Sequence, residues 1–200
     1  MKLIQNHGFN LKTFEVPAFV LSEGEMIRFW IEFVPQSETE TDGYWVPNKI
    51  LEAIQSNQQS DEKAKMAPIR VKRSFFDFIQ PKTIRNYLKD KYGLDTASII
   101  EKLSFFELNP YWKVKDLGFG HQKVFAIICE FQEKNIVYFD YIGLAPDSEE
   151  QLTTYVKTEL AKNKSAVSFD NLYYKPENPD SERICNLIVK QKRKTNENNV

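Results

Sequence analysis

Two cysteines, Cys129 and Cys185, are too few to build a disulfide framework. Cys129 also falls among apolar helix positions, so the composition points to a reducing cytoplasm. The two histidines, His7 and His121, show no metal-ligand spacing with the cysteines, and no metal site is expected. No stretch approaches the roughly 18 apolar residues of a membrane span. The opening MKLIQNHGFN has no apolar run after its lysine, so no secretion signal is expected either. An excess of one charge is missing as well. With 27 basic residues against 28 acidic ones, nothing pulls the chain toward nucleic acid or an anionic membrane. Neither G-x-S-x-G nor a comparable nucleophile motif occurs, and no internal repeat is evident.

What is present is a globular composition, 42% hydrophobic and 14% aromatic, over a length that suits one domain with a sizeable core. The first third reads as strands. Phe14–Leu21 and Met26–Val34 are rich in aromatic and β-branched residues, with a turn at Ser22-Glu23-Gly24-Glu25 between them. Pro17 places the first of these at an edge or at a bulge. Trp45–Ile54 forms a short helix between two polar surface insertions, Gln36–Gly43 and Ser56–Lys65.

The middle reads as helical. Thr83–Tyr92 puts Ile84, Tyr87 and Leu88 on one face. Ser98 with Glu101 fits a capping box that opens a helix carrying Ile99, Ile100 and Leu103. Gln122–Glu133 carries Val124, Ile127, Ile128 and Phe131 at i, i+3, i+4 and i+7. Ile136–Phe139 is an apolar run of the kind found in buried strands. Ser148–Leu160 is helical and Ala166–Phe169 is the next strand, an order that favours an α/β sheet with parallel pairing. Ile184–Val189 suits a strand or a helix. Residues 190–200 (KQKRKTNENNV) are a polar tail, expected to be loose. The basic side chains of that tail read as a solvated end, with RNA or phospholipid as the other possible partner.

Several short motifs then fall into a familiar order. Leu21-Ser22-Glu23-Gly24-Glu25 forms a Gly-Glu hairpin. Leu117-Gly118-Phe119-Gly120-His121 precedes a helix, Asp140 closes an apolar strand, and Gly143-Leu144-Ala145-Pro146 makes a turn. From about Val71 to Asn171 this resembles the ATP-binding domain of ABC transporters. In that family a helical subdomain leads to an LSGGQ signature, then come a helix, a strand ending in Asp-Glu, a Leu-Asp-Pro turn called the D-loop, and a strand ending in histidine. The resemblance implies a P-loop NTPase-like α/β fold over 1–189, with a helical subdomain near 72–133. It makes Leu117, Gly118, Gly120 and His121 signature-like, Asp140 Walker B-like, and Gly143, Leu144, Ala145 and Pro146 D-loop-like.

The departures from that pattern concern function. A phosphate loop needs G-x-x-x-x-G-K-[ST], because backbone N–H groups at a helix start must wrap the phosphates and only glycine permits the approach. After Ile31 this chain offers Glu32-Phe33-Val34-Pro35-Gln36-Ser37-Glu38-Thr39, with no glycine, no lysine and two carboxylates that repel phosphate. Tyr141 stands where the family has the water-positioning glutamate, and Phe169 where it has the histidine. Ala145 replaces the D-loop aspartate, Gly118 the signature serine and His121 the signature glutamine. Catalysis of phosphoryl transfer is mostly positioning and charge stabilisation, and these losses together imply a pseudo-ATPase with no catalytic residues.

ABC domains work in head-to-tail pairs, so a chain with a signature-like turn and no phosphate loop can serve only the partner's ATP. The resemblance therefore implies a non-hydrolysing subunit, cytoplasmic or held at the inner face of a membrane by its partner. That partner is an ABC-type ATPase or a membrane permease, with a homodimer also open, and the cofactor would be ATP/Mg²⁺ shared with it. The alternative is a free-standing binding or scaffold protein that keeps the fold without nucleotide. Three residue readings stay open here. Asp140 is a Mg²⁺ ligand or a strand-end or helix-capping aspartate. The Gly118–Gly120 turn is an anion site or a plain turn. His121 meets nucleotide across an interface or only solvent.

Overall fold

The run Phe14–Leu21, expected as one strand, is divided by Pro17. Proline has no N–H to give to a ladder. Accordingly β3 (Phe14–Val16) ends before it and β4 (Phe19–Ser22) begins after it. The facing chain breaks at the same level, where β1 (Lys2–Asn6) gives way to β2 (Phe9–Asn10) through Gly8 at φ +81. A Cβ on Gly8 would lie 2.9 Å from the Ala18 nitrogen and 3.0 Å from the Val16 oxygen, so only glycine fits there. One antiparallel ribbon thus serves two sheets: β1 pairs with β4, Asn6 opposite Phe19, and β2 pairs with β3, Phe9 opposite Val16. The computed structural model that carries these elements describes residues 1–32, 45–57, 63–72, 79–172 and 182–192. Gln36–Gly43 and the middle of Ser56–Lys65 lie outside the described residues.

The chain packs as two units, Met1–Lys65 with Val167–Val200, and Met66–Ala166. In the first, β5 (Met26–Glu32) alternates from Ile27 onward between buried apolar residues and the partly exposed Arg28, Trp30 and Glu32. β8 (Ile184–Gln191) lies parallel beside it, Met26 opposite Ile184 and Ile31 opposite Val189, which settles the segment left open between strand and helix. With β7 (Ser165–Leu172) on the other side of β5, the order in this unit is β2-β3-β8-β5-β7. Phe29 stacks on Phe169 with centroids 5.6 Å apart, and Phe19 meets Phe29 edge-on at 5.2 Å. Such pairs contribute about 0.5–1.5 kcal/mol each beyond their burial. On the polar face of β5 the Arg28 guanidinium bonds the Asp170 carboxylate and lies 4.1 Å above the Trp30 ring, while Trp30 Nε1 donates to Asn186 Oδ1 at 2.9 Å.

Helix α1 (Trp45–Asn57) continues past the expected Ile54, takes in Ser56 and Asn57, and buries Val46, Ile50, Leu51 and Ile54. β8 also runs further than the sequence suggested. Lys190 and Gln191, assigned to the loose tail, pair with Glu15 and Phe14, and the Gln191 N–H donates to Glu32 at 2.8 Å. Polar residues do not end a strand whose exposed face can carry them, and Lys190 opposite Glu15 is a favourable cross-strand pair. The remainder of the tail, 193–200, lies outside the described residues.

The second unit holds the other helices of the described residues. α2 (Ile84–Tyr92) starts at Thr83, whose hydroxyl accepts from the Asn86 N–H, and stops at Gly93 with φ 68. α3 (Thr96–Ser104) starts earlier than the Ser98–Glu101 capping box predicted. Asp95 is its cap and accepts the Ser98 N–H at 2.7 Å. A carboxylate at the positive end of a helix is the stronger cap, so Ser98 supplies the capped donor and not the cap. After a short 3₁₀ turn (Val114–Asp116), α4 (Phe119–Glu133) buries Val124, Ile127, Ile128 and Phe131 as its periodicity required. It packs on β6 (Ile136–Asp140), whose first four residues are all buried, and on α5 (Pro146–Leu160). Tyr155 of α5 is fully buried, edge-on to Phe105, Phe106 and Phe131 at 5.6–5.8 Å. Cys129 is buried in this core, and burial pushes its thiol up to about 12. No helix of the described residues is long and apolar enough to cross a membrane.

Candidate functional site

The candidate residues of the second unit gather at two neighbouring places, the start of α4 and the turn after β6. Leu117 is buried, and its carbonyl accepts from the Gln122 side chain, which fixes the chain as it enters the helix. Gly118 follows in extended backbone (φ −63, ψ 165) as the cap residue of α4, with no side-chain bond to the helix. The first N–H groups of α4 therefore have no side-chain cap, whereas α2 and α3 have Thr83 and Asp95. A Cβ placed on Gly118 meets nothing within 4 Å, and one on Gly120 meets only Leu144 Cδ2 at 3.8 Å. Neither glycine is required by the chain's own packing.

His121 is exposed, and its ring lies 5.9 Å from that of Trp112. Trp112 is itself held in place by main-chain bonds: its carbonyl accepts the Ile84 N–H at 2.9 Å, and that of Pro110 accepts the Arg85 N–H. Tyr111, Trp112 and Phe119 are 68%, 44% and 49% exposed; Phe119 opens α4 and Trp112 lies beside His121. Sequence reasoning missed these open aromatics, because exposed aromatics cannot be told from core aromatics by composition alone.

The turn after β6 is tied to α4. Gly143 has φ +80, which strains any side chain, and a Cβ there would fall 2.6 Å from Cε1 of the half-exposed Phe119 ring, which would have to shift. The Leu144 N–H closes the turn on the Tyr141 carbonyl at 3.1 Å. Ala145 caps α5 without a side-chain bond, and Pro146 is its first residue, where a missing N–H costs nothing.

Asp140 does not face open space. The ammonium of Lys123, on α4, bonds its carboxylate, and the Ile142 N–H donates to the same Oδ1 at 2.9 Å. Lys123 Nζ also donates to the Ile142 carbonyl at 2.7 Å. Both side chains are well buried, at 7% and 13% exposure. Asp140 is thus a partnered carboxylate at the end of β6. A Mg²⁺ ion brought to the same carboxylate would meet an ammonium. Two unit charges 4 Å apart repel by about 4 kcal/mol at a protein-like dielectric, and a divalent ion doubles that. The residues present do not fit a metal. Among the described residues no group of three His, Cys, Asp or Glu side chains is placed to hold one. The pairing was missed from the sequence, although one signal was there: Lys123 opens an otherwise apolar stretch, and a charge so placed needs a partner.

Tyr141 and Phe169 occupy the two positions where the resemblance puts a catalytic glutamate and histidine. Tyr141 is 1% exposed, with its hydroxyl 3.1 Å from Thr153 Oγ1 and its ring against Phe139. Phe169, in the first unit, is equally buried beneath Phe29. Both side chains are core. The segment 33–44, where the resemblance would put a phosphate loop, lies outside the described residues, and what it lacks is known from its sequence.

No family model matches the chain, and no curated protein matches it. Solved structures do. The chain is similar to an ABC transporter ATP-binding protein from Pyrococcus furiosus at 14% identity and TM-score 0.56, over 92% of this chain and 94% of that one. It is similar to a metal-chelate type ABC transporter in an inward-facing conformation at 13% identity and TM-score 0.52, over 98% and 84%. A third likeness, TM-score 0.50 at 13% identity, is to an archaeal ribosome recycling factor in complex with a ribosomal stalk protein, over 86% of this chain and 33% of that one. At these identities the likeness establishes the fold: a mixed α/β chain with the architecture of ABC-type ATP-binding domains.

Proposed function

We propose that the chain is a non-hydrolysing ABC ATPase-like subunit. It pairs with an active ABC-type ATPase or transporter and offers the Leu117–His121 turn to ATP held by that partner. The observation that carries this reading is the openness of the turn. Glycine within a helix is less favourable than alanine by about 0.5–1 kcal/mol, yet Gly120 stands in the first turn of α4 with no neighbour that forbids a side chain. Gly118, a residue type suited to a cap, has equally open space around it. On this reading, close approach of something outside the chain accounts for Gly120. A polyphosphate seated on the free N–H groups of α4 is the chemistry that such a helix start favours.

The non-hydrolysing half of the reading is supported by the absent G-x-x-x-x-G-K-[ST] sequence, by core aromatics at 141 and 169, and by the engagement of Asp140 with Lys123. ATP and Mg²⁺ would therefore come with the partner. Two copies of this chain would join two such turns and no phosphate loop, so a complete ATPase suits the reading better than a homodimer. The chain would sit in the cytoplasm, at a membrane only through that partner. A second reading, a scaffold that works without nucleotide, is favoured by the exposed Tyr111, Trp112 and Phe119, since aromatic side chains are enriched in protein contacts.

Phosphate release by the pure chain with ATP and Mg²⁺ tests the first half. No release above the blank is expected. Turnover of about one per second, an ordinary enzymatic rate, that disappears in Asp140→Asn would contradict the proposal.

A further inference from the structure

The disagreement between Asp140 and a metal ion has a positive side. We infer that Lys123 is the resident cation of this aspartate: its ammonium takes the place a divalent ion would need and clasps α4 to the turn 140–144. Three contacts converge on that turn. Lys123 bonds the Asp140 carboxylate and the Ile142 carbonyl, Phe119 lies on Gly143, and Gly120 faces Leu144. Lys123 and Phe119 are four residues apart on α4, so they project from the same side of the helix. A covalently tethered cation is present at every metal concentration. The turn is then held in one arrangement whether or not Mg²⁺ is available, and Asp140 has no charge left to offer a metal. This inference concerns the isolated chain and stands whether or not the proposed partner exists.

A tethered cation and a bound metal differ in one measurable respect, their response to free divalent ion. Mn²⁺ is the probe, followed by electron paramagnetic resonance on the full chain, with amide hydrogen exchange at Ile142, Gly143 and Leu144 as the structural readout. In the wild type, millimolar Mn²⁺ should remain unbound at Asp140 and leave exchange unchanged. Lys123→Met, which keeps the length and removes the charge, should raise exchange at the three amides about tenfold, the loss expected when a charge-assisted bond is removed. Asp140→Asn should do the same, and the double variant should add little to either alone, because both changes break one interaction. Lys123→Arg keeps a cation and should stay near wild type in exchange and in indifference to Mn²⁺. Mn²⁺ bound by the wild type and released in Asp140→Asn would overturn the inference, as would unchanged exchange in a folded Lys123→Met. Should Lys123→Met fail to fold, the wild-type Mn²⁺ measurement and Lys123→Arg still decide it.

Discussion

The turn at 117–121 and the residues at 141 and 169 are read from the same resemblance, yet the fold treats them in opposite ways. At the turn, two glycines remain where the chain's own packing would accept a side chain, and the helix behind them has no side-chain cap. At 141 and 169, positions where the resemblance expects polar groups, aromatic rings have been drawn into the core. On the proposed reading, the open glycines would meet a partner's nucleotide, and the buried positions would no longer act on one held by this chain.

The largest expected effect comes from reversing the burial. Tyr141→Glu restores the residue of the family pattern, but it places a carboxylate in a site 1% exposed, where the tyrosine hydroxyl lies 3.1 Å from Thr153 Oγ1 and the ring lies against Phe139. A buried unpaired charge costs about 3–5 kcal/mol, so the variant should lose that much stability in chemical denaturation and gain no activity. A stable Tyr141→Glu protein would show that the position is not core.

The glycines divide next. Gly143→Ala forces a side chain into positive φ and against Phe119, and a loss of about 1–3 kcal/mol is expected. Gly120→Ala puts a better helix former where there is room, so stability should be unchanged or rise by up to about 1 kcal/mol. Opposite signs in the two denaturation midpoints would support the division between required and unrequired glycines. A loss at both would remove the reason to look outside the chain for what keeps Gly120.

The smallest effect concerns helix starts. The Ser98 N–H holds the Asp95 carboxylate below its usual range. A depressed folded pKa means that the contribution is present above the unfolded value, about 3.9, and is lost as pH falls through the folded one. The midpoints of wild type and Asp95→Ala should therefore differ at neutral pH and converge in acid. Equal midpoints at every pH would mean that a cap has no value here, and the bare start of α4 would then be unremarkable.

Elements whose signal is local were legible in the sequence. The i, i+3, i+4, i+7 spacing gave α4, the apolar run gave β6, and Pro17 announced a break, although the sequence could not show that the facing strand would break with it at Gly8. Ile184–Val189 lacks a clean period, and only pairing with β5 makes it a strand. The start of α3 was misplaced because Ser98-x-x-Glu101 and Asp95 compete for one cap and the charged one wins. Of the candidate site, the turn residues and Asp140 were named from their order. The Lys123 partner was not, because it joins a helix to a strand end across the fold, and no spacing rule covers such a pair. The need for glycine at 143 was equally hidden, since a ring from another element creates it.

The proposal rests most directly on whether ATP joins this chain to a partner through the open turn. The measurement is recovery of an ABC-type ATPase from native extract on the tagged chain, with and without ATP, wild type beside Gly120→Asp. A carboxylate at 120 would face the phosphates while leaving the isolated protein folded. The account predicts ATP-dependent recovery with wild type and markedly less with Gly120→Asp. Equal recovery in all four conditions would contradict it and leave the nucleotide-independent scaffold as the reading that stands.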